Sequence, residues 1–191
     1  MTNYLVCIIY GRRVNGELSS LVSHSVVSLW ERLRHIDVEW VSIGNVQVSN
    51  KHLTIGRDMC VPDVLDDMSV SPFKKLASIM HGNSDGSTNA GHSPLALMQI
   101  SHSGRQSPRF VGGRFIFDPP LGASDVPMKS RSESWIGRVL FDLTFVPPRA
   151  ATDEDIEDVI ERFVRGAQLS VKAGVRWLIF ELPHQPIRQF S

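Results

Sequence analysis

Residues 95–110 read LALMQISHSGRQSPRF, and this stretch constrains the fold more than any other. An apolar run, Leu95 to Ile100, carries a single glutamine, Gln99. A histidine, a glycine and an arginine then follow within six positions. A short apolar run of this kind reads as a buried strand. The polar residues after it fall at a strand end, the place where barrel folds of strands and helices hold their ligands. The run is preceded by a helical segment, and a second apolar run precedes that helix. The order is therefore strand, helix, strand, a βα unit followed by its parallel neighbour.

The first of these runs, Trp40 to Val48 (WVSIGNVQV), is apolar and β-branched and reads as a buried strand. Gly44 lies inside it. A glycine there either forms a bulge or lets a second backbone or a ligand approach closely. A helix is expected from Ser71, with Ser71 as N-cap, Pro72 in the first helical position, and Phe73, Leu76, Ala77 and Met80 on one face up to a stop at Gly82. Residues 83–93 read as a loop. Residues 29–36 fit a helical turn or two. Thr152 to Ala173 carries the clearest helical period: Ile156, Val159, Ile160, Phe163, Val164, Ala167 and Val171 form one broad apolar stripe. Thr152 and Asp155 resemble a capping box, and Gly174 supplies the stop. Val175 to Leu182 is again strand-like.

Two segments resist this alternation. Residues 1–28 offer a short strand-like run, Tyr4 to Tyr10, then turn signals at Gly11-Arg12-Arg13 and Asn15-Gly16. Residues 107–150 hold six prolines, Pro108, Pro119, Pro120, Pro127, Pro147 and Pro148. Long regular elements are not expected among them. An insertion of this length in a compact domain is usually functional, here a cap over the strand ends.

Charge and cysteine content narrow the function. Twenty basic residues balance 20 acidic ones, which argues against a nucleic-acid or anionic-membrane partner and leaves a small molecule as the expected ligand. Cys7 and Cys60 are far apart and in no metal-like spacing, so thiols in a reducing, cytoplasmic setting are expected and no metal. The apolar run Tyr4 to Tyr10 is too short to span a bilayer. His52, His81 and His92 read as surface histidines. Gln99 is either a ligand-facing amide, with both a donor and an acceptor to offer, or a buried glutamine satisfied by backbone. His102 and Arg105 either bind an anion or a carbonyl, or pin the loop after the strand, the latter preferred for Arg105. No dinucleotide fingerprint, P-loop or nucleophile elbow appears, and no residue is singled out as catalytic.

Five segments then resemble one family in its own order: GNVQVSNKHL at 44–53, SPFKKLASIMHG at 71–82, MQISHSGRQSP at 98–108, PPLGASDVP at 119–127 and ATDEDIEDVIERFVRGAQLSVKAG at 151–174. They are similar to the Old Yellow Enzyme family of FMN-dependent NAD(P)H oxidoreductases, most of all to its fungal secondary-metabolism members. The resemblance implies an α/β fold, the N-terminal portion of a (β/α)8 TIM barrel. Residues 29–174 would form the FMN-binding part. Residues 1–28 form a divergent N-terminal segment, and residues 175–191 a divergent C-terminal tail. It also implies FMN as cofactor, NAD(P)H as reductant, and hydride transfer through the flavin to an activated alkene of a small carbonyl compound. Gln99 would hydrogen-bond the flavin pyrimidine, and Gly44 would contact the flavin through its backbone. The family's substrate-binding histidine pair and its tyrosine proton donor have no matching positions, and the role is not carried onto His184. The alternative reading is a truncated, inactive member or an interaction fragment. Open sheet edges in such a piece are expected to favour self-association.

Overall fold

The computed structural model describes residues 4–7, 13–14, 17–18, 40–54, 56, 58–81 and 95–181; for 4–7, 13–14, 17–18 and Trp40 only the backbone is described. The expected turns at 29–36, the loop at 83–93, the stop at Gly82, and His92 and His184 lie outside these residues.

Four parallel strands form the main sheet, in the order β1 (Tyr4–Cys7), β4 (Trp40–Gln47), β6 (Leu95–Ser101) and β9 (Trp177–Glu181). A two-residue strand, β5 (Met59–Cys60), pairs parallel with the end of β4. The hairpin of β2 (Arg13–Val14) and β3 (Glu17–Leu18) brackets the Asn15-Gly16 turn signal. Parallel neighbours require crossovers, and the observed ones carry α1 (Asp67–Met80) between β4 and β6 and α3 (Asp153–Ala173) between β6 and β9. The partial α/β barrel expected from the sequence is therefore the fold observed. Both ends of the chain contribute to it: Tyr4–Cys7 and Trp177–Glu181 are strands of this sheet, although neither segment shows the family's sequence pattern.

One face of the sheet is packed. Val41, Ile43 and Val46 of β4 and Ala96, Met98 and Ile100 of β6 meet Val70, Phe73, Leu76, Ala77 and Met80 of α1 and Leu169 and Ala173 of α3. The near-continuous burial of β4 is what a strand covered on both faces requires. On the opposite face Leu95, Trp177 and Ile179 are exposed.

The cap of α1 lies five residues before the expected one. Asp66 is the N-cap, and its Oδ1 accepts from Ser69 N at 2.7 Å. Val70 belongs to the buried face, and burying it draws the helix start upstream. Pro72 consequently lies inside the helix rather than at its first position. α3 follows expectation: Thr152 and Asp155 form a reciprocal capping box, and Gly174 closes the helix at φ +82°. Within 107–150 the structure overturns the expectation of no long regular element. Residues 128–146 contain no proline, and α2 (Trp135–Thr144) forms there. β7 (Leu121–Gly122) pairs with β8 (Arg149–Ala150) at the base of the insertion. Among the described residues, no helix is long and apolar enough to cross a membrane.

Candidate functional site

The site is set by an irregularity between β4 and β6. Ile43 pairs with Met98 and Val46 with Ile100, so two residues, Gly44 and Asn45, stand opposite one, Gln99. This is a bulge, and glycine suits it. The two residues singled out from sequence as cofactor-binding, Gly44 and Gln99, are thus neighbours across one strand pair, an arrangement sequence spacing alone does not give.

Gln99 is half-buried and is not satisfied by backbone. Its Nε2 donates to a carboxylate oxygen of Glu181, at the end of β9. Among the described residues nothing donates to Gln99 Oε1. The sequence reading passed over Glu181, because nothing in a single chain reveals which residue of a later strand comes beside Gln99. Pairing of Gln99 with Ile179 and of Ser101 with Glu181 does reveal it.

Beyond the bulge, the strand ends rest on a buried polar network. Gln47 Nε2 donates to Thr54 Oγ1 at 3.0 Å, and Gln47 Oε1 accepts from Ser103 Oγ at 3.1 Å. The hydroxyls of Thr54 and Ser103 are 2.9 Å apart. Thr54 N donates to Asp58 Oδ2 at 2.6 Å. Ser107, fully buried, donates to Leu53 O at 2.8 Å and accepts from Arg114 Nη1 at 2.7 Å, while Arg114 Nη2 donates to Ser107 O at 2.8 Å. A satisfied network of this kind fixes the loops after β4 and β6 against each other.

The histidines behave differently from expectation. His52 is not a surface residue. Its Nε2 accepts from Leu121 N at 3.2 Å, so Nδ1 carries the proton and donates to Ser49 Oγ at 3.3 Å. Its ring lies 4.6 Å from that of His102. Burial, followed by the proximity of His102, Arg114, Arg162 and Lys51, pushes His52 down to about 3. Burial, followed by Arg162 and partly opposed by Asp158, pushes His102 down to about 4. Both are neutral at pH 7. His102 Nε2 and Ser101 Oγ are buried with no hydrogen-bond partner among the described residues. Arg105 is buried and its Nη1 donates to Val126 O at 3.3 Å. Arg105 thus ties the loop after β6 to the 107–150 insertion, as the loop-pinning reading holds. His102 is buried in the same loop. His81 is half-buried, with Nε2 3.3 Å from Gly174 O. Among the described residues there is no group of three or more metal-ligating side chains.

Two groups here are available to a hydrogen-bonding ligand. One open amide oxygen faces it from β6, and a glycine backbone flanks it on β4. That set fits the edge of a flavin pyrimidine, which offers an N–H.

Comparison with known proteins addresses the family. No family model matches the chain. Over 135 residues, 70% of this chain, it is 31% identical to the NADH-dependent flavin oxidoreductase iliE of Neonectria sp. (strain DH2), covering 16% of that protein. Over the same length it is 32% identical to the NADH-dependent flavin oxidoreductase iccE of Talaromyces variabilis, covering 30% of it. The chain thus spans less than a third of these curated relatives. Among solved structures, the old yellow enzyme homologue from Zymomonas mobilis superposes on 93% of this chain and 43% of its own, with a TM-score of 0.63 and 15% identity. A morphinone reductase variant in complex with tetrahydroNAD superposes on 93% of this chain and 44% of its own, with a TM-score of 0.62. With the order of its motifs, the relatives they match and the barrel strands they occupy, this chain belongs to the Old Yellow Enzyme family.

Proposed function

We propose that the chain forms the cofactor-orienting part of an FMN-dependent NAD(P)H oxidoreductase of the ene-reductase type, acting on an activated alkene of a small carbonyl compound in fungal-type secondary metabolism. The observation that carries this is the pairing of Gln99, its amide oxygen open, with the glycine bulge at Gly44. The names of the fungal relatives support it. When bound, FMN would carry hydride from the nicotinamide cofactor to the substrate. Gln99 holds the pyrimidine edge through Oε1. Gly44, without a Cβ, lets the ring lie against backbone. The network of Gln47, Thr54 and Ser103 keeps the strand ends from relaxing. None of the described residues is assigned to proton delivery. The proposed ligand is a small molecule rather than nucleic acid or membrane, and the proposed setting is cytoplasmic, both on charge balance and cysteine usage.

The test is direct. Purified chain is mixed with FMN and passed through gel filtration, and the flavin spectrum of the protein peak is recorded. Stoichiometric retention is expected, with Gln99→Ala weakening it about tenfold, the size of one well-placed hydrogen bond. A protein peak devoid of flavin would overturn the reading.

A second property belongs to this reading. Phe180 of β9 and Ile160, Phe163, Val164, Ala167 and Val171 of α3 line an open apolar groove of about 590 Å³ beside the outer edge of β9. A parallel edge with no partner strand among the described residues, next to an apolar groove, is a surface that associates. We propose that this chain, expressed by itself, self-associates there.

A further inference from the structure

We propose that Glu181 is a positioning residue for Gln99 and decides that the site presents an acceptor, not a donor, to the ligand's ring edge. This rests on the reading of the site as a flavin site. A glutamine amide can turn through half a rotation and exchange its oxygen for its nitrogen at almost the same volume. Whichever group its neighbours bind, the other is left for the ligand.

In this protein the neighbour is a carboxylate, which only accepts. Gln99 Nε2 donates to it, so the amide cannot turn without losing a charge-assisted hydrogen bond. The register places the pair: Ile179 lies opposite Gln99, and Glu181 is two residues farther along β9. Side chains two apart share a strand face, so Glu181 reaches Gln99 along the face that also carries the exposed Trp177 and Ile179. On the other side of Gln99 stands the bulge of Gly44 and Asn45. Oε1 is the atom left over, and its complement is a ring N–H, the imide group of a flavin pyrimidine.

The carboxylate has a second effect. It places negative charge one residue from the ring edge, so it disfavours ligand states that accumulate negative charge there. A flavin held in this site is then harder to reduce than one beside a neutral amide.

The experiment titrates FMN and 3-methyl-FMN, in which the ring N–H is replaced by N–CH3, into the full chain by flavin fluorescence. The proteins are the wild type, Glu181→Gln and Glu181→Ala, each checked by circular dichroism. The wild type is expected to prefer FMN about tenfold. Glu181→Gln keeps an acceptor for Nε2 and keeps the preference. Glu181→Ala lets the amide turn and brings the preference to about twofold or less. The midpoint potential of bound FMN rises in both variants, which a purely structural role would not produce. A wild type that binds both flavins equally, or a Glu181→Ala protein with preference and potential unchanged, overturns the role of Glu181 and leaves the flavin site standing. Absence of any FMN binding overturns both. Should Glu181→Ala not fold, an unchanged potential in Glu181→Gln is enough to reject the proposal.

Discussion

His52 and His102 lie ring against ring at the strand ends, in neutral form and mostly out of water. Their acidities make the fold sensitive to mild acid, and the sign follows from linkage. Unfolded histidine takes up a proton near pH 6.5, whereas the folded residues resist until about 3 and about 4. The unfolded state therefore binds more protons throughout that interval. Stability is complete above pH 6.5 and falls as pH drops toward 4, by about 1.4 kcal/mol per pH unit for each histidine. Urea unfolding at pH 7 and pH 5 should differ by about 2 kcal/mol per histidine, and the doubly substituted His52→Gln, His102→Gln protein should lose most of that pH dependence. Equal stability of the wild type at the two pH values would contradict the buried, neutral assignment. Asp155 acts in the same direction only in stronger acid. Hydrogen bonds from Arg149 and from Thr152 hold its carboxyl well below the usual range.

At the scale of elements, α3 shows how far a periodic pattern can be taken. Its caps were readable from Thr152, Asp155 and Gly174, because capping is local chemistry between residues three or four apart. Its buried face was not. Gly166, Leu169, Ser170 and Ala173 are its buried residues and Phe163 of the apolar stripe packs half-buried against the core, while Ile156, Ile160, Val164 and Val171 of that stripe remain exposed. The helix is turned so that a glycine meets the sheet. A Cβ at Gly166 would stand 3.3 Å from both Ile100 Cδ1 and Val61 Cγ2. Gly166→Val should therefore lower stability by about 2 kcal/mol through overpacking, despite valine's better helix propensity. Denaturant unfolding measures it, and a neutral or stabilised variant would mean that the helix sits farther from β6. α1 teaches the converse: Ser71-Pro72 is a sound local start signal, and burial of Val70 overrode it.

For the molecule as a whole, β9 pairs, among the described residues, with β6 alone. The groove of α3 and Phe180 is where a further layer of structure would pack. The isolated chain should show concentration-dependent mass by light scattering. Val164→Glu with Phe180→Glu should move it to the monomer, because a charge buried in an apolar contact is strongly unfavourable. A monomeric wild type at all concentrations would rule the contact out. The sequence by itself determined the alternation of strands and helices, the caps of α3 and the family of motifs. Each of these depends on residue type and near-neighbour spacing. Only the tertiary structure decided that Gly44 and Gln99 face each other across a bulge, that Glu181 takes the amide nitrogen, that His52 is buried against His102, and which stripe of α3 is core. Those facts are register and rotation, set by contacts between residues tens of positions apart, and no local pattern encodes them.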